Sequence, residues 1–280
     1  TDDLLKGSLL ITLNENLQHH TVDVDAYLHS LMNYLAHEES DLLYTMALGY
    51  VGSGVRFTHS DYNWLEKELW KQVEEGKKPQ FRLQAFRQLM NIANSEASVS
   101  KMYQIWKNQD TFTGIDLSER DMINLSYQLA VHLPDKADSI VEEQLARISN
   151  SDRREEYLFI SPAVSSNKIV RDRVFNALLM GDNRSVEPWA SSALSLLNHR
   201  LREKEALGYI RAGLGALEEV QQTGDIFFPT AWLRSLLSGH TSVEARQEIE
   251  AFWEEHPNYS LMLSNKIWQQ ADHLYRLNVE

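Results

Sequence analysis

The chain has 280 residues, 43% of them hydrophobic and 24% charged, the ordinary balance of a globular protein able to bury a sizeable core. Its 40 acidic and 27 basic residues give a formal net charge of -13, which argues against nucleic acid as a partner because that contact needs a basic face. No apolar run approaches the roughly 18 residues of a membrane span, and the absence of Cys excludes disulfides and thiolate metal sites while leaving cytoplasm and periplasm equally open.

The first residue is Thr1 rather than Met, and Leu4, Leu5, Leu9 and Leu10 enter helical pattern at once. We expect a segment cut from within a larger protein. Ser60-Asp61-Tyr62-Asn63 opens a helix with Leu65, Leu69 and Val73 on one face, closed by Gly76 and Pro79. Val99, Met102, Tyr103 and Trp106 follow i, i+3, i+4, i+7 spacing, with Ser98 as the expected cap. Ser118 and Asp121 form a capping pair ahead of Met122, Leu125 and Leu129, and Asp135, after Pro134, starts a helix carrying Ile140, Val141, Leu145 and Ile148. A helix from about Glu203 to Gln221 has Leu207, Ile210, Leu214 and Leu217 as its stripe. Its glycines, Gly208, Gly213 and Gly215, cost roughly 2–3 kcal/mol against alanine, and close approach of neighbouring backbones is the expected offset. Thr241-Ser242-Val243-Glu244 reads as a capping box in which Thr and Glu satisfy each other's exposed donors. Ala245, Ile249 and Phe252 follow as the buried stripe, and His256-Pro257 stops the helix. Sustained period-two alternation is missing, and Ile226-Phe227-Phe228 is a short apolar run isolated between helices.

These signals predict about fourteen or fifteen helices which, paired antiparallel, repeat at roughly 35–40 residues. The expected fold is all-α: a superhelix of stacked antiparallel helix pairs, like a HEAT or armadillo solenoid, spanning residues 1–280 as one domain. A compact helical bundle is the alternative.

Local catalytic signatures fail one by one. His37-Glu38-Glu39-Ser40-Asp41 lacks the second His that must follow four residues after the first for both imidazoles to share a helix face. His19 and His20 are adjacent and point to different sides of a helix. Gly215-Ala216-Leu217-Glu218-Glu219 echoes a substrate loop of zinc aminopeptidases, but it lies in helical pattern where that loop needs an extended strand. The pairs Glu218-Glu219 and Glu254-Glu255 fall at turn ends, where solvated charge is expected. No catalytic or metal-ligating residue is assigned. One helix reads differently: successive residues rotate by about 100°, which sets Arg173 between Ile169, Val170, Val174 and Ala177 on an apolar side. A guanidinium there must snorkel or find an acceptor, with Glu155, Glu156 and Asp172 the nearest candidates.

Residues Arg153 to Val164, Val170 to Arg173, Glu187-Pro188-Trp189, Tyr209-Ile210-Arg211 and Thr223-Gly224-Asp225-Ile226-Phe227-Phe228-Pro229 with Trp232 resemble the C-terminal helical domain of bacterial zinc aminopeptidases of the aminopeptidase N family. The resemblance is specific from about residue 150 to 280 and diffuse before that. It implies a non-catalytic domain that encloses the substrate chamber and limits peptide access, its partners being an upstream catalytic domain of the same chain and peptide substrates. Zinc is then expected in that upstream domain, none of whose ligands has a counterpart here, so this segment alone is expected to be inactive. A substrate's carboxylate end would point toward the helical domain, which makes Arg171, Arg173 and Arg211 the candidate residues of the chamber surface. Docking would also leave an exposed apolar cluster, expected around Leu9 and Leu13 or Phe227-Phe228. The alternative function is an independent HEAT-like scaffold that binds protein partners.

Overall fold

The computed structural model describes residues 2–58, 61–108 and 115–277. Among them are sixteen α-helices and no strand, so the protein is all-α, built by helix-on-helix packing. Its contacts divide into two compact units, Thr1–Leu129 and Ala130–Glu280.

The first unit holds α1 (Asp3–Gln18), α2 (Val24–His37), α3 (Asp41–Val55), α4 (Asn63–Glu75), α5 (Pro79–Ile92), α6 (Glu96–Trp106) and most of α7 (Glu119–His132), within which the unit boundary falls. Helix α2 packs on α3 and α4, and α5 on α3 and α4, so each of these four helices meets both its neighbour and one a layer away. The stripe Leu65, Leu69 and Val73 is wholly buried, and Tyr44 stacks on Phe81 with ring centroids 4.0 Å apart. Burying such side chains contributes roughly 1.5–3 kcal/mol apiece. Ser60, the expected start of α4, lies outside the described residues.

The second unit continues with α8 (Ala137–Arg147), α9 (Ser151–Ile160), α10 (Lys168–Leu178), α11 (Glu187–Leu197), α12 (Glu203–Gly215), α13 (Leu217–Thr223), α14 (Phe228–Leu237), α15 (Val243–Glu255) and α16 (Leu261–Leu277). Short 3-10 turns at Pro134–Lys136, Ser161–Val164, Gly181–Arg184 and Arg200–Arg202 connect several of them. Helix α11 packs on α9 and α14, α12 on α14 and α15, and α14 on α16. The layer spacing shows in the polar links. Arg171 meets Glu205, 34 positions on; Arg184 meets Glu219, 35 on; Tyr209 bonds Asp172, 37 back; Asp225 bonds Glu187, 38 back. A neighbouring layer is thus about one helix pair away along the chain.

Several caps come from those neighbouring layers. Ser242, not Thr241, caps α15, accepting from the Ala245 amide at 3.3 Å. The carboxylate that takes the Thr241 and Ser242 amides is Glu203 of α12, at 2.7 Å each, and not Glu244. Ser95 caps α6, whereas Ser98 is buried and accepts from Trp70 Nε1 at 2.9 Å. The buried Glu66 of α4 takes the Asn94 and Ser95 amides in the same way. In both cases a carboxylate from the preceding layer satisfies orphan helix-start donors that a local capping box would otherwise meet. The Ser118–Asp121 box is local as expected, with reciprocal bonds of 3.0 and 3.2 Å.

The helix expected from Glu203 to Gln221 divides at Ala216 into α12 and α13, a break that its glycine content eases. Of its three glycines only Gly213 permits a close approach: a Cβ there would stand 2.8 Å from Leu236, and its carbonyl accepts from Trp232 Nε1 at 2.9 Å. Gly208 and Gly215 face open space.

Candidate functional site

The three arginines singled out by sequence do not converge. Arg171 is 3% exposed. Its Nη1 donates to the Ser165 and Ser166 carbonyls at 2.7 and 3.0 Å, and its Nη2 meets Glu205. It closes the carbonyl end of the turn Ser161–Val164 and ties α10 to α12. Arg211 is half-exposed and forks onto Glu248 of α15, Nε at 3.0 Å and Nη2 at 2.9 Å, with Glu255 at 3.0 Å on Nη1. Both are cations committed to inter-layer bridges. Arg173 reverses the expectation of an apolar side: it is exposed, as are Ile169 and Ala177 of the same stripe. Phe175 and Leu178, together with Arg171, fill the inner side instead. Among the described residues Arg173 makes no ion pair, neither to Glu155 and Glu156 nor to Asp172, which instead binds Lys168 at 2.7 Å and the Tyr209 hydroxyl at 2.6 Å. Those two partners hold the Asp172 carboxyl below its ordinary value, Lys168 contributing most. Arg173 therefore stands as a free cation on the outer face of α10, with exposed Ile169 four positions before it and exposed Met180 seven after.

Two further arginines escaped sequence reading. Arg184 is buried, donates to the Leu178 carbonyl at 2.7 Å, meets Glu219, and lies over the Trp232 ring at 5.5 Å. Arg202 is buried and donates to the Ala163 and Val164 carbonyls at 3.3 and 2.9 Å. Burial, and then the Arg171 charge, pull its pKa down to about 10. Both arginines sit in short 3-10 turns, which leave no periodicity by which burial can be read.

A buried polar knot joins α11, α12 and the turn before α15. Asn198 Nδ2 donates to the Leu194 carbonyl at 2.9 Å, which orients its Oδ1 to accept from His240 Nε2 at 2.9 Å. His240 Nδ1 then faces Glu203 at 3.9 Å, and the His240 carbonyl accepts from His273 Nε2 at 3.0 Å. Burial pushes the His240 pKa down to about 4 against the pull of Glu203. His199 is lowered to about 3 by burial and then by Arg200, His132 and Arg202, and its Nδ1 accepts from the Leu201 amide at 3.2 Å. These imidazoles are structural acceptors and donors. Among the described residues no group of three or more His, Cys, Asp or Glu side chains is arranged to hold a metal ion, and His240 Nε2 and His199 Nδ1 are already engaged in hydrogen bonds. No helix among them is long and apolar enough to cross a membrane.

The remaining surface features are apolar. On α1, Leu4 is 82% and Leu9 59% exposed, with Leu5 and Ile11 half or more exposed, while Leu10, Asn14 and Leu17 face inward. Leu4 and Ile11 form one ridge and Leu5 and Leu9 another, with exposed Ser8 and Thr12 between them. The expected cluster around Leu9 is present, although Leu13 is half-buried. In the second unit Ile226 and Phe227 are 70% and 77% exposed, whereas Phe228 is buried as the first residue of α14.

Compared with models of protein families and with curated protein sequences, the chain matches none.

Proposed function

We propose that this chain is the non-catalytic helical domain of a zinc metallo-aminopeptidase of the aminopeptidase N family, enclosing the substrate chamber and limiting which peptides enter. The observation that carries the reading is the outer face of α1. A solvated helix face is ordinarily polar, yet α1 turns Leu4, Leu5, Leu9 and Ile11 outward. Two exposed apolar ridges on one helix suit a docking face, and the sequence resemblance names the occupant: the upstream domain that carries zinc.

In this reading catalysis belongs to the upstream domain, where zinc, when bound, would act as Lewis acid on the peptide carbonyl. This chain's part is to wall the chamber and, through Arg173, to receive the free carboxylate of a short peptide. Arg173 is the one of the three candidates with an unengaged fork, and in a chain of net charge -13 a local cation is needed to offset repulsion of a carboxylate.

The test uses the native polypeptide. An antibody against this chain should detect a larger protein that contains zinc and cleaves aminoacyl-arylamides. Detection of a 280-residue protein without that activity would favour the independent scaffold instead. In the full enzyme, Arg173→Ala should lower kcat/KM for a tripeptide and spare an aminoacyl-arylamide, which has no carboxylate; equal effects on both substrates would remove the role of Arg173.

A further inference from the structure

The pair Ile226-Phe227 forms an exposed apolar knuckle whose backbone is fixed from both sides. The Asp225 amide donates to Glu187 Oε1 at 2.6 Å, across one layer of the second unit. Asp225 Oδ1 accepts from the Phe227 amide at 2.9 Å, and the Asp225 carbonyl accepts from the Phe228 amide at 3.0 Å. Beyond the knuckle, Phe228 and Pro229 are buried in the first turn of α14. Before it, Gly224 has no room for a side chain: a Cβ would stand 2.5 Å from the Phe228 ring and 2.9 Å from the Val220 carbonyl. An exposed phenylalanine on so rigid a base loses little conformational entropy on binding, which is the property of an interface anchor.

Its surroundings select the partner. The loop before α11 and the segment from α13 to α14 also expose Met180 and Val186, and they carry the carboxylates of Asp182, Glu187, Glu218, Glu219 and Asp225. Arg184 is the one cation in those segments and is already engaged by Glu219. A second copy of this chain would set this acidic rim against another acidic surface, so self-association is disfavoured. We propose that the Ile226-Phe227 knuckle anchors the chain in an apolar socket ringed by lysine or arginine on the upstream domain. This rests on the aminopeptidase reading and adds to it a specific contact and the charge of its counterpart.

The chain has no Cys, so Phe227→Cys gives a single reporter thiol in it. Maleimide labelling at that position, read by peptide mass spectrometry, should be at least tenfold slower in the full polypeptide than in the 280-residue chain alone. Raising ionic strength should narrow the difference as the charged rim is screened. Phe227→Ser should lower the thermal midpoint of the full polypeptide and leave that of the isolated chain nearly unchanged, since the residue is 77% exposed. Equal labelling rates in a full polypeptide that still cleaves arylamides would overturn the knuckle while sparing the functional reading. A native polypeptide without a zinc-bearing domain would remove both. Labelling that slows with concentration of the isolated chain would identify a second copy as the occupant and overturn the proposal.

Discussion

Arg171 and Arg173 stand two positions apart on α10 and meet opposite environments. The Arg171 guanidinium satisfies the Ser165 and Ser166 carbonyls and pairs with Glu205. Arg171 is buried but its acceptors are only partly so, so removing it leaves part-buried carbonyls without their donor and opens space where the side chain lay. Arg171→Ala should therefore lower unfolding stability by about 1–3 kcal/mol in urea denaturation. Arg173→Ala should stay within about 0.5 kcal/mol of wild type, because no bond is lost. A larger loss for Arg173 than for Arg171 would show that the inner and outer sides of α10 have been assigned in reverse. From sequence the two were indistinguishable: Ile169, Val170, Val174 and Ala177 suggest an apolar side around Arg173, yet Ile169 and Ala177 face solvent.

At the scale of elements, helix positions were legible, as were several termini, such as Gly76 closing α4, His256 closing α15 and the Ser118–Asp121 box; what caps some helix starts was not. The stripes Leu65-Leu69-Val73 and Ala245-Ile249-Phe252 are buried as their spacing requires. The caps differ because Glu66 and Glu203 reach a helix start in the next layer, a partnership that no local motif encodes. Glycines divide in the same way. At Gly239 a Cβ would fall 1.7 Å from the Asn198 carbonyl oxygen and 3.1 Å from the Arg200 amide nitrogen. Backbone there cannot yield cheaply, so Gly239→Ala should destabilise by more than about 3 kcal/mol or prevent folding of the second unit. Gly208→Ala and Gly215→Ala, facing open space in or at the end of a helix, should instead stabilise by about 0.5–1 kcal/mol each. Thermal melts of the three variants check this, and destabilisation by Gly208→Ala would contradict the open environment.

For the whole molecule, burial of the histidines and the hydrogen bonds of Glu38 make stability below neutral pH fall in one direction. His240 and His199 fold with pKa values near 4 and 3, below the 6.5 of a free imidazole. Between those values the unfolded chain binds more protons than the folded one, so stability falls as pH drops below about 6.5. For the His240 interval the loss is on the order of 3 kcal/mol by pH 4. Carboxylates act in the same direction lower down. Burial pushes the Glu38 carboxyl up, but the Tyr34 hydroxyl, the Ser40 and Glu39 amides and Lys6 outweigh it and hold the pKa near 2. Its stabilisation is present above the unfolded value of 4.5 and disappears as pH falls toward 2. Urea midpoints measured from pH 7.5 to 4 should decline monotonically, and His240→Asn should flatten the slope between about 6.5 and 4 whatever it does to the plateau. An unchanged slope would assign the proton uptake elsewhere.

The sequence by itself determined that the chain is all-α, where most helices run, and which leucines and aromatics form the core, because periodicity reports a burial direction wherever a helix has one clear inner face. Of the apolar residues it expected at the surface, Leu9 and Phe227 are exposed, while Leu13 is half-buried and Phe228 buried. Only the tertiary structure decided which of the candidate arginines are committed, since Arg171, Arg184 and Arg202 find their acceptors in turns and neighbouring layers and not along their own helices. It also decided that Glu203, His240 and Asn198 form one buried knot. Hydrogen bonds between groups nearly forty residues apart depend on how layers stack, and that distance lies beyond any pattern a single helix can carry.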